Sequence, residues 1–334
     1  MKTFLKIAGG ALLVILAVAI GGASYLAIRK PASRPATAEK FEATPARLAR
    51  GEYLVQHVSD CLGCHSDHID GRFGFPVKPG TEGQGGLAFD KNLGFPGVVA
   101  AQNITPDPET GLGKWTDGEI LRAMREGVDR NGDALFPMMP YVHLAHLGDE
   151  DAKSIVVYLR TLKPIRHQVL AKHIDFPVSL FIKLVPKPLS GPVAAPDPKT
   201  SYHEYGHYLV TIGGCYECHT AHDDKNQLVA DRALAGGWEM RGPWGRVVTA
   251  NLTPHPATFV GRSTKAEFIG RFRAFAGFDA ASSPACPKGR NTVMPWLAFS
   301  KMSDEDLGAI YDYLHTLQPI ENKVNSFPDA AGRS

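Results

Sequence analysis

The chain is organised around the stretch Cys61-Leu-Gly-Cys64-His65 and its repeat at Cys215-Tyr-Glu-Cys218-His219. Both have the form C-x-x-C-H, which is typical of covalent haem attachment. Two thiols at this spacing can reach the two vinyl groups on one edge of a porphyrin, and the adjacent histidine is then placed under the iron. We therefore expect two covalently bound haem c groups. The expected thioether residues are Cys61, Cys64, Cys215 and Cys218, and the expected iron ligands on one side are His65 and His219.

Paired cysteines also occur in zinc knuckles, in thioredoxin-like redox sites and in disulfide clips. A zinc site needs two further nitrogen or sulfur ligands for each pair, and a thioredoxin-like pair follows a strand. The duplication of the whole five-residue pattern favours haem over these three alternatives. Cys286 is the remaining one of five cysteines, and we interpret it as a bystander thiol.

Length and composition set limits on the architecture. The chain has 334 residues, which is enough for two domains that each bury a core. The formal net charge of +2 at pH 7 argues against nucleic acid as a partner. The 34 glycines and 25 prolines indicate substantial loops between helices, as expected for helices around a large prosthetic group. We expect an all-α fold.

Residues 1–30 contain the first candidate element, an apolar segment. The run from Ile7 to Ile28 has no charged side chain and is long enough to cross a bilayer at about 1.5 Å per residue. A cleaved signal peptide usually has a shorter apolar core, so we favour a transmembrane anchor over a signal segment. Because c-type haem is attached outside the cytoplasm, we expect the body of the protein on the periplasmic face of the bacterial inner membrane. Residues 31–45 are expected to form a tether, or the disordered start of the mature chain.

Residues 46–165 and 201–320 form an internal repeat, which we interpret as two domains. Matching motifs occur in the same order in both halves. They are a Gly-x-Tyr-Leu-Val run before the haem motif, an Asn-x-Thr-Pro run after it, a Thr-x-x-Glu capping box, a Met-Pro pair followed by an aromatic residue, and an Asp-Glu-Asp helix start. The capping boxes are Thr116 with Glu119 and Thr264 with Glu267, and each should open an amphipathic helix.

The repeat also identifies a candidate for the second axial ligand of each iron. Met139 and Met294 each precede a proline and occupy matching positions in the two halves. Methionine ligation raises the reduction potential and closes the site, which suits electron transfer. Met138 is the competitor in the first half, and the repeat favours Met139. Four arginines on the helices after the capping boxes are candidates to pair with a haem propionate, namely Arg122, Arg125, Arg271 and Arg273.

Residues 166–200 connect the two halves. A free linker is usually polar, whereas this segment contains the apolar run from Phe176 to Val185. We expect it to pack across the two domains, and contact with the membrane surface is the alternative. Residues 321–334 form a C-terminal tail.

The run from Asn103 to Glu119, with the Arg-Glu-Gly and Met-Pro-Tyr that follow it, resembles the membrane-anchored cytochrome c subunits of bacterial alcohol, gluconate and related periplasmic dehydrogenases. The likeness covers nearly all of residues 46–320 and is most specific in the first half. It implies two tandem class I cytochrome c domains, each with a His/Met-ligated haem. It also implies electron delivery toward quinone or a terminal oxidase. Those subunits typically carry three haem motifs, whereas this chain has two.

We therefore expect a dihaem electron carrier rather than an enzyme. It would accept electrons from the catalytic subunit of a periplasmic dehydrogenase and pass them to the respiratory chain through quinone, a soluble cytochrome or a terminal oxidase. The alternative is a dihaem enzyme such as a cytochrome c peroxidase or a thiosulfate dehydrogenase. A peroxidase needs one iron with an exchangeable sixth position and an acid/base group above it, and a Met-Pro pair in both halves argues against that arrangement.

Overall fold

The computed structural model describes residues 2–223, 227–242, 245–286 and 290–329. The chain begins with the long helix α1 (Lys2–Ile28). Its segment Lys6–Ile28 has a mean hydropathy of 2.4 and none of it is buried in the protein. It is long and apolar enough to cross a membrane, properties that signal sequences share.

Apart from the helix Phe259–Arg262 of the second half, the helices that follow occur in the same order in the two halves. Those of the first half are α2 (Pro45–Tyr53), which continues into a π-helical turn (Leu54–Val58), α3 (Cys61–Cys64), α4 (Asp117–Glu126), α5 (Tyr141–Leu144) and α6 (Asp149–Leu159). The connector contains α7 (Val178–Phe181) and a 3-10 turn (Ile182–Leu184). Those of the second half are α8 (Tyr202–Ile212), α9 (Cys215–His219), α10 (Phe259–Arg262), α11 (Lys265–Arg273), α12 (Trp296–Phe299) and α13 (Asp304–Leu314).

Short strands accompany these helices, so the expected all-α class describes only part of the fold. The strands β1 (Ala88–Phe89), β2 (Gly97–Ala100) and β3 (His173–Ile174) form an antiparallel sheet in the order β1-β2-β3. The strands β4 (Glu239–Gly242) and β5 (Gly245–Val248) pair with each other antiparallel. Sequence periodicity did not predict them because strands of two to four residues are too short to show an alternating pattern.

The Gly-x-Tyr-Leu-Val runs mark the closest helix crossing in each half. Gly51 places α2 directly against α6, and a methyl group at this position would overlap the carbonyl oxygen of Ser154. Gly206 does the same for α8 and α13, where the overlap would be with the carbonyl oxygen of Ala309. Only glycine permits this approach, and the adjoining apolar side chains then enter one continuous core.

Both expected capping boxes are confirmed. The Thr116 and Thr264 side chains accept from the third helical N–H of α4 and α11, and the glutamates at that position bond back to the cap residue. At the other end of these helices, Arg125 donates to Asp149 over 2.7 Å, and Arg273 bonds Asp304 in the same way. These arginines therefore join the capped helix to the acidic first turn of α6 or α13.

Residues 31–45 lie along the first half. Phe41 is buried, and its N–H donates to the carboxylate of Asp117 over 2.9 Å. Arg34 forms an ion pair with the buried Glu126 over 2.6 Å. The segment that we expected to act as a tether is therefore fastened to α4 by apolar and ionic contacts.

The two halves meet through a reciprocal pair of hydrogen bonds. Tyr53 of the first half donates to Asp306 of the second over 2.6 Å, and Tyr208 of the second donates to Asp151 of the first over 2.6 Å. The two tyrosines occupy the same position of the repeat, and so do the two aspartates. The contact is therefore self-complementary.

A second contact between the halves has no counterpart in the repeat. Phe73, which follows the first haem motif, stacks on Phe275 with ring centroids 5.0 Å apart. Beside it, the Cys286 N–H donates to the carbonyl of Gly71 over 2.8 Å. Cys286, which we expected to be a bystander, thus lies at the junction between the halves, although its thiol is unpaired.

The connector follows the first half and α1. Its strand β3 pairs with β2, with Gly97 opposite Ile174. Farther along, the Val193 carbonyl accepts from the Asp149 N–H at the start of α6 over 2.8 Å. These two contacts join the connector to the first half, and its packing across both domains stays a prediction.

Candidate haem-binding sites

Each C-x-x-C-H motif lies on a one-turn helix that begins after a left-handed residue. This residue is Asp60 in the first half, with φ of 43°, and Gly214 in the second, with φ of 69°. Glycine adopts such a conformation without strain, whereas aspartate pays a penalty on the order of 1 kcal/mol. The sharp turn lets α3 and α9 start directly at the first cysteine. Gly63 leaves room for the Asp60 carboxylate, which a side chain at that position would displace.

Both histidines of the motifs are oriented by a main-chain carbonyl. His65 Nδ1 lies 2.6 Å from the Gln102 oxygen, and His219 Nδ1 lies 2.7 Å from the Ala250 oxygen. Because a carbonyl only accepts, Nδ1 carries the proton and Nε2 keeps the lone pair that a metal needs. Burial lowers the pKa of both histidines, which favours the neutral form required for ligation.

The loop that supplies these carbonyls is held by a buried asparagine. Asn103 accepts from the Thr105 N–H over 2.9 Å and donates to the Ile165 carbonyl over 2.7 Å. Asn251 forms the same two bonds in the second half with its own threonine and isoleucine. Gln102 and Ala250 directly precede these asparagines, so the Asn-x-Thr-Pro runs hold in place the two carbonyls that orient the histidines.

A cavity of about 630 Å³ adjoins the first motif. Cys61, Cys64, His65 and Met139 all line it, so the structure brings together the thiols, the histidine and the methionine that the sequence predicted for this site. Met138 lines it as well, but 37% of that residue is exposed, whereas Met139 packs against the hydrophobic core. The remaining wall is largely apolar and includes Trp115, Ile120, Met124, Leu144, Ile155 and Leu159.

The second motif has the same local construction. Cys215, Cys218 and His219 share α9. Met294 packs against the same hydrophobic core as Cys215, and its N–H donates to the hydroxyl of Thr292 over 3.0 Å. The role of Met294 as a ligand remains a prediction from the repeat.

The two motifs lie beside each other at the junction of the halves. Gly213, two residues before the second motif, packs against Val58, three residues before the first, and a methyl group at Gly213 would lie 3.3 Å from the Val58 carbonyl oxygen. His143 Nε2 contacts the Glu217 carboxylate, and this hydrogen bond lowers the pKa of Glu217. The helix that follows the first Met-Pro pair thus contacts the middle of the second haem motif. No sequence pattern marked this pair.

No protein-family model matches the chain. Comparison with individual proteins does find similar sequences. The chain is 34% identical to a nicotinate dehydrogenase component from Pseudomonas putida, over 58% of this chain and 16% of that protein. It is 29% identical to the gluconate 2-dehydrogenase cytochrome c subunit of Pantoea cypripedii, over 91% of this chain and 64% of that protein. It is 28% identical to a diheme cytochrome c-type protein of Cereibacter sphaeroides, over 91% of this chain and 96% of that protein. The chain resembles bacterial dehydrogenase cytochrome c subunits.

Cytochrome c subunits of quinone-type alcohol dehydrogenases and of fructose dehydrogenase match at the same level, with 28% identity. The resemblance expected from the sequence is therefore confirmed. The chain spans less than two thirds of the length of the dehydrogenase subunits that it matches, between 16% and 64%. The diheme cytochrome is matched along almost its whole length.

The residues present fit the haem c that a cytochrome c subunit carries. The four motif thiols are free, both histidines present Nε2 for ligation, and the first cavity has the size of a cofactor pocket. Within the described ranges, no group of three or more His, Cys, Asp or Glu side chains is placed to hold a metal ion.

The arginines expected near the propionates have other partners. Arg125 and Arg273 bond acidic residues, Arg122 donates to the Asp129 carbonyl, and Arg271 lies over the rings of aromatic residues. The basic side chains on the wall of the first cavity are instead Lys114, Arg130 and Lys172.

Proposed function

We propose that this chain is a dihaem c-type cytochrome that carries electrons. The observation that carries the proposal is the duplicated motif helix, with a histidine held by a main-chain carbonyl in each copy and the two copies adjacent. When bound, the two haems would supply reversible one-electron chemistry, so that the chain relays electrons without a substrate of its own.

In this proposal each residue of the sites has one role. The thiols of Cys61 and Cys64 hold the first haem, and those of Cys215 and Cys218 hold the second. His65 and His219 would ligate the irons through Nε2. Met139 and Met294 would supply the other protein ligands and keep small molecules away from the metal. Residues 46–165 and 201–320 would be two class I cytochrome c domains.

The partners follow from the relatives. Several of them are cytochrome subunits of dehydrogenases, which supports a dehydrogenase catalytic subunit as the electron donor. We further propose that α1 anchors the chain to the inner membrane with the haem domains on the periplasmic face. The acceptor would then be a respiratory-chain component, namely quinone, a soluble cytochrome or a terminal oxidase.

Haem content and ligation test the proposal directly. The purified chain should contain two haems by the pyridine haemochrome assay, and both irons should be low-spin by electron paramagnetic resonance. Met139→Ala and Met294→Ala should each convert one haem to a high-spin, cyanide-binding form. Met138→Ala is the matched control and should leave both spectra unchanged. A high-spin iron in the unmodified protein that turns over peroxide would favour the dihaem enzymes instead.

A further inference from the structure

The connector meets the end of α1. The Lys183 ammonium donates to the Ala27 carbonyl over 2.6 Å and to the Leu26 carbonyl over 3.2 Å. These carbonyls belong to the last turn of α1, where main-chain oxygens have no partner within the helix. A positive charge is also favourable at this end of the helix dipole. Lys183 therefore holds the connector at the level where α1 ends.

That level has the features of a membrane–water interface. The 23 residues of Lys6–Ile28 span about 34 Å as a helix, slightly more than a hydrocarbon core of about 30 Å. Tyr25 is exposed near the end of the span, and the Arg29 guanidinium lies 5.6 Å from the centre of its ring. Aromatic and basic side chains of this kind are enriched at the ends of transmembrane helices.

The connector exposes large apolar side chains at the same place. Phe176, Phe181 and Leu184 are 76%, 52% and 44% exposed, while Ile182 between them is buried and holds the segment in position. Lys187 follows with its side chain in solvent. A cluster of exposed aromatic and aliphatic residues flanked by lysines is typical of a segment that lies in the membrane interface.

We propose that residues 176–185, here named the connector patch, insert Phe176, Phe181 and Leu184 into the lipid interface beside the exit of α1. The lipid bilayer is the expected occupant because Lys183 joins the patch to the exposed surface of α1. Strand β3 lies just before the patch, and Lys172 on the cavity wall precedes that strand. The contact would therefore hold the first haem site next to the membrane.

Lipid photolabelling of the full chain tests this proposal without reference to haem or activity. The protein, with α1 intact, is placed in nanodiscs of phosphatidylcholine and phosphatidylglycerol that contain a phosphatidylcholine with a diazirine near the glycerol backbone. After illumination, mass spectrometry should find lipid adducts both on α1 and on residues 176–185. Phe259 is 40% exposed in the second half, and its peptide should show only background labelling.

The triple variant Phe176→Ser, Phe181→Ser, Leu184→Ser should reduce labelling of the connector patch to the level of the Phe259 peptide. Labelling of α1 should persist, and the helical circular dichroism should be unchanged, because the three side chains are exposed. Adducts confined to α1 in the unmodified chain would overturn the proposal. So would equal labelling of the connector patch and the Phe259 peptide.

Discussion

Tyr208→Phe should destabilise the chain by about 3 kcal/mol. The substitution keeps the ring and removes two hydrogen bonds that cross between the halves. The hydroxyl donates to the Asp151 carboxylate over 2.6 Å and accepts from the Gly148 N–H over 3.2 Å. A bond to a charged group contributes about 1.5–3 kcal/mol, and a buried N–H without a partner costs about 1–3 kcal/mol. We expect a destabilisation in the lower part of the sum of these two contributions because Asp151 keeps both of its hydrogen bonds to Arg50.

Tyr53→Phe is the matched control, since Tyr53 makes the equivalent bonds to Asp306 and to the Ser303 N–H. Ser303 is exposed, so water can replace the lost partner, and we expect a loss of only about 1.5 kcal/mol. Guanidinium unfolding of the haem-loaded chain in detergent, followed by circular dichroism, measures both. A Tyr208→Phe effect below about 1 kcal/mol, or equal effects of the two variants, would refute the reasoning.

Two further substitutions, each with a control variant, can be measured by the same unfolding assay. Gly51→Ala should reduce the free energy of unfolding by about 1–3 kcal/mol because the new methyl group overlaps the Ser154 carbonyl. Gly270→Ala is the control: it lies at an exposed helix position with open space around it and should raise the free energy of unfolding by about 0.5–1 kcal/mol. A loss of stability in both variants would show that the helix crossing is not the cause. Asn103→Ala should reduce the free energy of unfolding by about 2–3 kcal/mol because it removes hydrogen bonds to buried main-chain groups. Asn92→Ala, in an exposed turn, is the control and should change stability by less than about 0.5 kcal/mol. Similar losses in the two variants would contradict this account.

The parts of the fold that could be predicted are those fixed by short-range signals. A capping box spans four residues, so Thr116 with Glu119 was sufficient to place the start of α4. The C-x-x-C-H pattern is equally local, and the repeat then transferred each assignment from one half to the other. The grouping of Cys61, Cys64, His65 and Met139 around one cavity could be predicted for this reason.

The contacts that could not be predicted join residues far apart in the chain. His143 and Glu217 are separated by 74 positions, and no periodicity relates them. Residues 31–45 resemble a free tether in composition, yet the buried Phe41 and the ion pair of Arg34 with Glu126 fasten them to the first half. Such pairs depend on how the two halves are placed against each other, which local patterns do not encode.

The interface between the halves shows how a repeat can create its own binding surface. Each half contributes one tyrosine donor and one aspartate acceptor, so two copies of the same surface satisfy each other, as in a two-fold dimer. The two halves differ at the residue before the glycine of the helix crossing, which is Arg50 in the first half and Tyr205 in the second. Each of these side chains nevertheless donates a hydrogen bond to the aspartate of its own half. Each aspartate thus accepts from both halves, which couples the helix crossing within a half to the contact between halves. Because the motif helices lie at this same junction, the bonds that join the halves also determine how the two candidate haem sites face each other.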